Sequence, residues 1–154
     1  MTHHIASVLA SISIASVFMS TAAIPQTAKD IEGAWTLVST DDVRPDGSRK
    51  PLYGAKPAGL LIFLPNGTYS LQNMNTTEQK KFASGDRANG TPEEYKAAVL
   101  ASNPHWGKWK VNPADQTLTF QIEYALFPNW AGTTQVRKFT LRGDELGSGL
   151  IDPR

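Results

Sequence analysis

The chain contains no cysteine and almost no net charge. Its 154 residues include 15 Lys+Arg and 14 Asp+Glu, which gives a formal net charge of +1. The absence of cysteine excludes disulfides, thiolate metal sites and a thiol nucleophile. The balanced charge excludes a strongly basic nucleic-acid-binding protein, so nucleic acid is not an expected partner. The length fits one domain, and the composition predicts a small soluble globular protein.

The only long uncharged segment lies at the N-terminus. Residues 5–23 carry no charge and end in small side chains, which is typical of a secretory signal peptide. Pro25 follows and stops a helix from continuing. We predict a signal peptide over residues 1–23, a linker over residues 24–30 and a mature chain that begins at Ala23 or Ile24. The expected location is the periplasm or the outside of the cell, with no membrane span after cleavage; the alternatives are an uncleaved anchor and a buried N-terminal helix.

Short strands dominate the rest of the sequence. A hairpin is indicated at Pro65-Asn66-Gly67, because Asn-Gly supplies the positive φ angles of a tight turn. The tract from residue 145 contains Gly147 and Gly149, which are poor strand residues. Alternation of side chains and turn signals together predict six strands, at residues 31–40, 60–64, 68–74, 106–111, 117–126 and 133–142.

One helix is predicted, over residues 92–102. Thr91 is suited to the N-cap, Pro92 to the first helical position and Glu94 to a capping box. Pro104 disfavours helical geometry at the residue before it and so ends the helix. Several strands that each bury one face, with a single short helix, favour a mostly β fold in which an antiparallel sheet closes into a barrel.

Successive side chains of a strand point to opposite faces, and this alternation also assigns the two faces of each predicted strand. Charged and polar residues on one side of each strand predict that the opposite side faces the barrel interior. The predicted inner residues are Trp109 and Val111, then Leu118, Phe120, Ile122, Tyr124 and Leu126, and finally Arg137, Phe139 and Leu141.

Four segments carry a family resemblance. They are Gly33-Ala34-Trp35, the Asn66-Gly67 hairpin, residues 90–95 (GTPEEY) and residues 126–133 (LFPNWAGT) with Gln135-Val136-Arg137 after them. In these segments the sequence resembles the bacterial lipocalin-like domain family of the calycin superfamily, from about residue 31 to residue 144. The resemblance implies a lipocalin-like domain over residues 31–154, an antiparallel barrel and an interior cavity for a small, mostly apolar ligand.

The C-terminus departs from that pattern. Family members continue past the Gly143-Asp144 turn with another strand, a loop and a closing strand, whereas this chain stops at Arg154. We therefore expect the barrel to be open on one side, closed by a partner chain, or incomplete. The strand at residues 133–142 or its neighbour should then lack a partner. An exposed sheet edge invites pairing, which predicts either a homodimer through that edge or poor solubility.

Arg137 is a charged residue on an apolar strand face, because it lies on the same face as Phe139 and Leu141. A charge on an apolar face must be paired, stacked or placed at the barrel mouth. One interpretation is a guanidinium stacked over Trp35 or Trp109 as a barrel plug. The other is an anchor for a carboxylate or phenolate ligand.

Chemistry-bearing residues are otherwise sparse. His105 is expected to be a surface or loop histidine, and no motif for a catalytic, metal or cofactor site is present. We therefore predict a non-enzymatic binding protein for a small hydrophobic or aromatic molecule. The predicted ligand-binding residues are Trp35, Tyr69, Trp109, Tyr124, Trp130 and Arg137.

One alternative is an interaction module whose barrel is packed solid. The other alternative function is an enzyme that isomerises or cyclises a small metabolite inside the barrel. Arg137 would stabilise developing negative charge, and Glu123 or Tyr124 would transfer a proton. Period two puts Glu123 and Tyr124 on opposite faces, so at most one of them points inward unless the strand contains a bulge.

Overall fold

The computed structural model describes residues 25–77 and 79–150, so the predicted signal peptide lies outside the described residues. Among the helices described, none has the length and apolar character needed to cross a membrane. In chain order the elements are α1 (Ala28–Ile31), β1 (Gly33–Thr36), β2 (Asp41–Val43), β3 (Arg49–Pro51), β4 (Ala58–Phe63), β5 (Thr68–Met74), α2 (Pro92–Leu100), β6 (His105–Asn112), β7 (Thr117–Ala125), the 3-10 turn η1 (Pro128–Trp130), β8 (Thr134–Arg142) and β9 (Glu145–Leu150).

Seven strands form one antiparallel sheet in the order β1-β4-β5-β6-β7-β8-β9, and β2 pairs with β3 in a separate ribbon. Trp35 of β1 and Leu146 of β9 stand at opposite edges of the sheet, yet both pack against the same core. The sheet therefore curls until it is nearly closed. The predicted mostly β, antiparallel barrel with one short helix is confirmed, with α1 and η1 as additional single turns.

The hairpin and the main helix form as their turn and cap residues predict. At the β4–β5 turn, Gly67 has a φ of 77°, and the Asn66 side chain accepts a hydrogen bond of 3.0 Å from the Thr68 backbone N–H. At the start of α2, the Thr91 hydroxyl accepts from the Glu94 N–H, while the Glu94 carboxylate accepts from the Thr91 N–H at 2.8 Å. The capping box is therefore complete.

The first predicted strand is wrong in extent. Residue 31 belongs to α1, and β1 ends at Thr36. The sequence reading also missed β2 and β3, whose residues are all exposed. Such strands show no alternation between buried and exposed positions, which is the signal that period two detects.

Of the two strands expected to lack a partner, the one at residues 133–142 is paired on both sides, with β7 and β9, whereas its neighbour β9 stands at the edge of the sheet, as the other alternative predicted. β9 pairs with β8 from Arg142↔Glu145 to Arg137↔Leu150. Gly143 has a φ of 61° and reverses the chain. Gly147 and Gly149 are accommodated because β9 lies at the edge of the sheet. A homodimer through this sheet edge stays a prediction, and the strand that it would use is β9.

The barrel has a closed end, which we define as the end with the β4–β5, β6–β7 and β8–β9 turns. There the Gln26 side chain donates to the Leu141 carbonyl at 2.6 Å and accepts from the Leu141 N–H at 2.9 Å. It thus takes the place of a neighbouring strand for Leu141. The core cluster that continues inward from this end contains Ile31, Phe63, Tyr69, Leu71, Trp109, Leu118, Phe120 and Phe139.

A β-bulge interrupts the pairing of β6 with β7. Trp106 pairs with Tyr124 and Gly107 with Ile122, so Glu123 is the extra residue. A Cβ atom at Gly107 would overlap the Gln121 carbonyl oxygen and lie 2.7 Å from the Glu123 nitrogen. The bulge therefore requires glycine at position 107.

This close approach predicts that Gly107→Ala destabilises the fold by about 3 kcal/mol, because backbone rather than a mobile side chain must move. Gly149→Ala is the matched control, since a Cβ there meets no described residue within 4 Å, and its effect should stay within about 1 kcal/mol. Urea unfolding of both variants measures the difference. Equal stabilities would contradict the close packing of the bulge.

Candidate functional site

Three polar side chains meet inside the barrel around one aromatic ring. We call Tyr69, His105 and Arg137 the interior cluster. The Tyr69 ring centroid lies 4.7 Å and the His105 ring centroid 6.4 Å from that of Phe120. The Arg137 guanidinium carbon lies 5.2 Å from the same centroid. Three different strands thus direct these side chains to one place.

Strand alternation explains why each of them points inward. His105 shares a face with Gly107 and Trp109, and all three positions are buried whereas the residues between them are exposed. On β8 the better-buried positions are Gln135, Arg137, Phe139 and Leu141. The predicted inward phase of Arg137 is therefore correct.

Tyr69 and His105 form a buried pair. The Tyr69 hydroxyl lies 2.8 Å from His105 Nδ1, and the two residues are 0% and 1% exposed. Burial, followed by the charge of Arg137, lowers the pKa of His105 to about 4. Burial also raises the pKa of Tyr69, with a smaller contribution from Glu123 and opposition from Arg137. Both side chains are therefore neutral near pH 7.

Arg137 is the cation of the interior cluster. Burial lowers the pKa of its guanidinium, and Tyr69 and Tyr53 oppose that shift, but an arginine remains charged in proteins. Its Nη2 donates to Gln135 Oε1 at 2.9 Å. The predicted stacking over Trp35 or Trp109 is wrong, since the guanidinium lies over Phe120. Those indoles instead donate to the carbonyls of Ile31 and Leu64.

Among the residues that the structure describes, two buried atoms of the interior cluster have no hydrogen-bond partner, His105 Nε2 and Arg137 Nε. Within the described part of the chain, the only ion pair is Arg49–Asp41, so no carboxylate neutralises Arg137 there. Over the same residues, no group of three His, Asp or Glu side chains is placed to hold a metal ion. Buried polar groups are nearly always satisfied in folded proteins, so these two atoms distinguish the interior cluster from the indoles of Trp35 and Trp109, which each donate to a carbonyl.

The predicted ligand-binding residues separate into three places. Tyr69 and Arg137 belong to the interior cluster, and Trp130 on η1 meets His105 edge-on with a centroid distance of 5.8 Å. Trp35 and Trp109 pack in the core toward the closed end. Tyr124 is 60% exposed and stacks on Trp106, which is 47% exposed.

The prediction that Tyr124 and Leu126 share a face with Ile122 is wrong. The bulge at Glu123 shifts the alternation by one residue. Ile122 is buried, whereas Tyr124 and Leu126 are exposed.

Two residues near Arg137 were missed or misplaced by the sequence reading. His105 was expected in a loop or at the surface but is the buried first residue of β6. It lies four residues before Trp109, so the alternation of the strand, extended to residue 105, would have predicted that it faces the interior. Tyr53 is buried, and burial raises the pKa of its hydroxyl while the Asn103 side chain and the charge of Arg137 oppose that shift. It lies in an irregular segment, where no periodic signal exists.

The fold and the interior cluster define a small antiparallel barrel protein whose interior combines an aromatic wall with a few polar groups. Residues 32–150 match the lipocalin-like domain family. The chain belongs to this family. Neither the curated proteins nor the solved structures contain a match to it.

The low pKa of His105 predicts a stability that depends on pH. The unfolded imidazole binds a proton near pH 6.5, while the folded one does so only near pH 4. The unfolded state therefore holds more protons in this window, so stability falls as the pH drops from about 6.5 to about 4, by up to about 3 kcal/mol. Below about pH 4 the imidazole is protonated in both states, so His105 causes no further change in stability with pH.

His105→Gln should remove this contribution, because glutamine does not titrate and can still accept from Tyr69. Urea midpoints of the wild type and the variant, measured from pH 4 to pH 7, report the difference, and the carboxylates common to both cancel. Parallel profiles would show that His105 titrates normally in the folded protein.

Proposed function

We propose that this protein binds a small, mostly apolar molecule, hydrophobic or aromatic, inside the barrel and does not transform it. The observation that supports this most directly is Arg137, an inward-facing cation beside Phe120 that no carboxylate among the described residues neutralises. Ligand sites are typically apolar walls with a few well-placed polar groups. The interior cluster has that composition.

An unpaired guanidinium is costly as a purely structural element. Burial of a charge carries a penalty of several kcal/mol, and a hydrophobic residue in its place is often neutral or stabilising. A residue that only filled the barrel would have no need of the charge. A ligand with an electron-rich group would compensate the penalty, which makes Arg137 the anchor of the proposed site.

The isomerase or cyclase alternative has less support. It assigned proton transfer to Glu123 or Tyr124, but Tyr124 stacks on Trp106 at the exposed surface, and Glu123 is exposed at the bulge. Neither residue is buried beside Arg137.

Protein recovered from its natural host should carry the ligand. Native mass spectrometry is expected to show a co-purifying small molecule, and the same sample reports the N-terminus. A start at Ala23 or Ile24 would support the proposed export, whereas an intact Met1 in the cytoplasm would contradict it. Ligand-free protein from several growth conditions would argue against the binding function.

Arg137→Met tests the anchor, because methionine keeps much of the length of the side chain and removes the charge. We expect the variant to lose the co-purifying molecule and, without ligand, to be more stable than the wild type by about 1 kcal/mol. Lys110→Met is the matched control, since Lys110 is exposed on β6 and loses the same charge; it should retain the ligand. A variant at Arg137 that is strongly destabilised would instead support a structural plug.

A further inference from the structure

The free atoms of the interior cluster indicate which chemical group the ligand carries. Both belong to side chains that pack on Phe120. Arg137 Nε always bears a hydrogen and is therefore a donor. The character of His105 Nε2 depends on which ring nitrogen carries the proton of the neutral imidazole.

The contact with Tyr69 assigns that proton. If the Tyr69 hydroxyl donates to Nδ1 at 2.8 Å, one hydrogen bond satisfies both groups, and the imidazole proton lies on Nε2. If Nδ1 donates instead, the hydroxyl hydrogen has no acceptor, since this hydroxyl makes no other hydrogen bond within residues 25–77 and 79–150. A buried donor without an acceptor is costly, so the first arrangement is the stable one.

We propose that the interior cluster recognises a carboxylate on an apolar body, with Arg137 and the Nε2–H of His105 as its two donors. This inference rests on the proposed function and specifies its ligand class. A cation and a neutral donor together favour an anionic acceptor, because hydrogen bonds to charged groups are stronger than those between neutral groups. An amine or a second cation would meet only repulsion from Arg137.

Tyr69 is a positioning residue in this arrangement. Its hydroxyl does not need to touch the ligand, because its hydrogen bond holds the His105 ring and its tautomer. Phe120 supports all three side chains from one side. The carboxylate of Glu123 is exposed at the bulge and contributes a negative charge near Tyr69, so the donors directed at the ligand are those of His105 and Arg137.

Two probes with the same rings and different head groups test the ligand class. We expect 2-naphthoate, ionised at about pH 7, to bind at least about tenfold more tightly than naphthalene-2-methanol in calorimetric titrations. Equal binding of the two probes would overturn the carboxylate inference and leave the proposed function intact. No binding of either probe, with no co-purifying molecule from the host, would count against both.

A double variant tests the contribution of the Tyr69–His105 pair. The double change Tyr69→Phe with His105→Phe removes the pair without leaving a lone polar partner. It should weaken 2-naphthoate about tenfold and change naphthalene-2-methanol by less than about twofold. Tyr95→Phe is the control, because Tyr95 on α2 loses a hydroxyl that bonds to Gly90 and Arg87 outside the interior cluster.

The tautomer can be measured in the wild type, so the test does not depend on the folding of a variant. Long-range ¹⁵N–¹H NMR spectra should show the His105 proton on Nε2, and 2-naphthoate should shift this nitrogen. Tyr69→Phe should reduce the population of that tautomer, an effect that loss of packing alone would not produce. A proton on Nδ1 in the free wild-type protein would overturn the inference.

Discussion

The bulge opposite Gly107 is the constraint on which the interior depends. It allows β6 and β7 to stay paired while one extra residue, Glu123, enters β7. Before the bulge, Phe120 and Ile122 face inward; after it, Tyr124 faces outward against Trp106. Without the extra residue, the alternation would carry Tyr124 inward, toward the level of the barrel where His105 now lies. The local conformation of a glycine therefore determines which chemistry the barrel contains.

Much of the fold could be predicted from the sequence, because the strongest patterns reflect interactions between residues that are close in sequence. The Asn66-Gly67 turn, the capping box at Thr91 and the alternation on β8 depend on neighbouring residues and appear in the structure as predicted. The interior cluster did not follow in full, because the bulge depends on how Gly107 fits against Gln121 and Glu123 of the neighbouring strand, and the alternation within one strand carries no sign of that fit. Tyr69 and Arg137 were correctly predicted to face the interior. His105 was not, because the predicted strand began at residue 106, one residue after the start of β6.

Charge in the interior is controlled by burial and by Arg137 together. For His105, burial and the nearby cation act in the same direction, and the imidazole stays neutral. For Tyr69 they oppose each other, and burial has the larger effect. The interior cluster therefore carries a single positive charge near neutral pH, and its tyrosine and histidine are available as neutral hydrogen-bonding groups.

The two ends of the barrel interior differ in whether their buried hydrogen-bond donors have acceptors. Toward the closed end, the indoles of Trp35 and Trp109 each donate to a backbone carbonyl, and the Gln26 amide satisfies Leu141 in both directions. The indole donors of Trp35 and Trp109, which pack in the core, therefore both have acceptors. At the interior cluster, the Nε2 of His105 and the Nε of Arg137 have no partner in the described part of the chain. Since the same chain satisfies its donors a short distance away, the free ones are a property of this location, which is why we propose that a ligand accepting hydrogen bonds binds there.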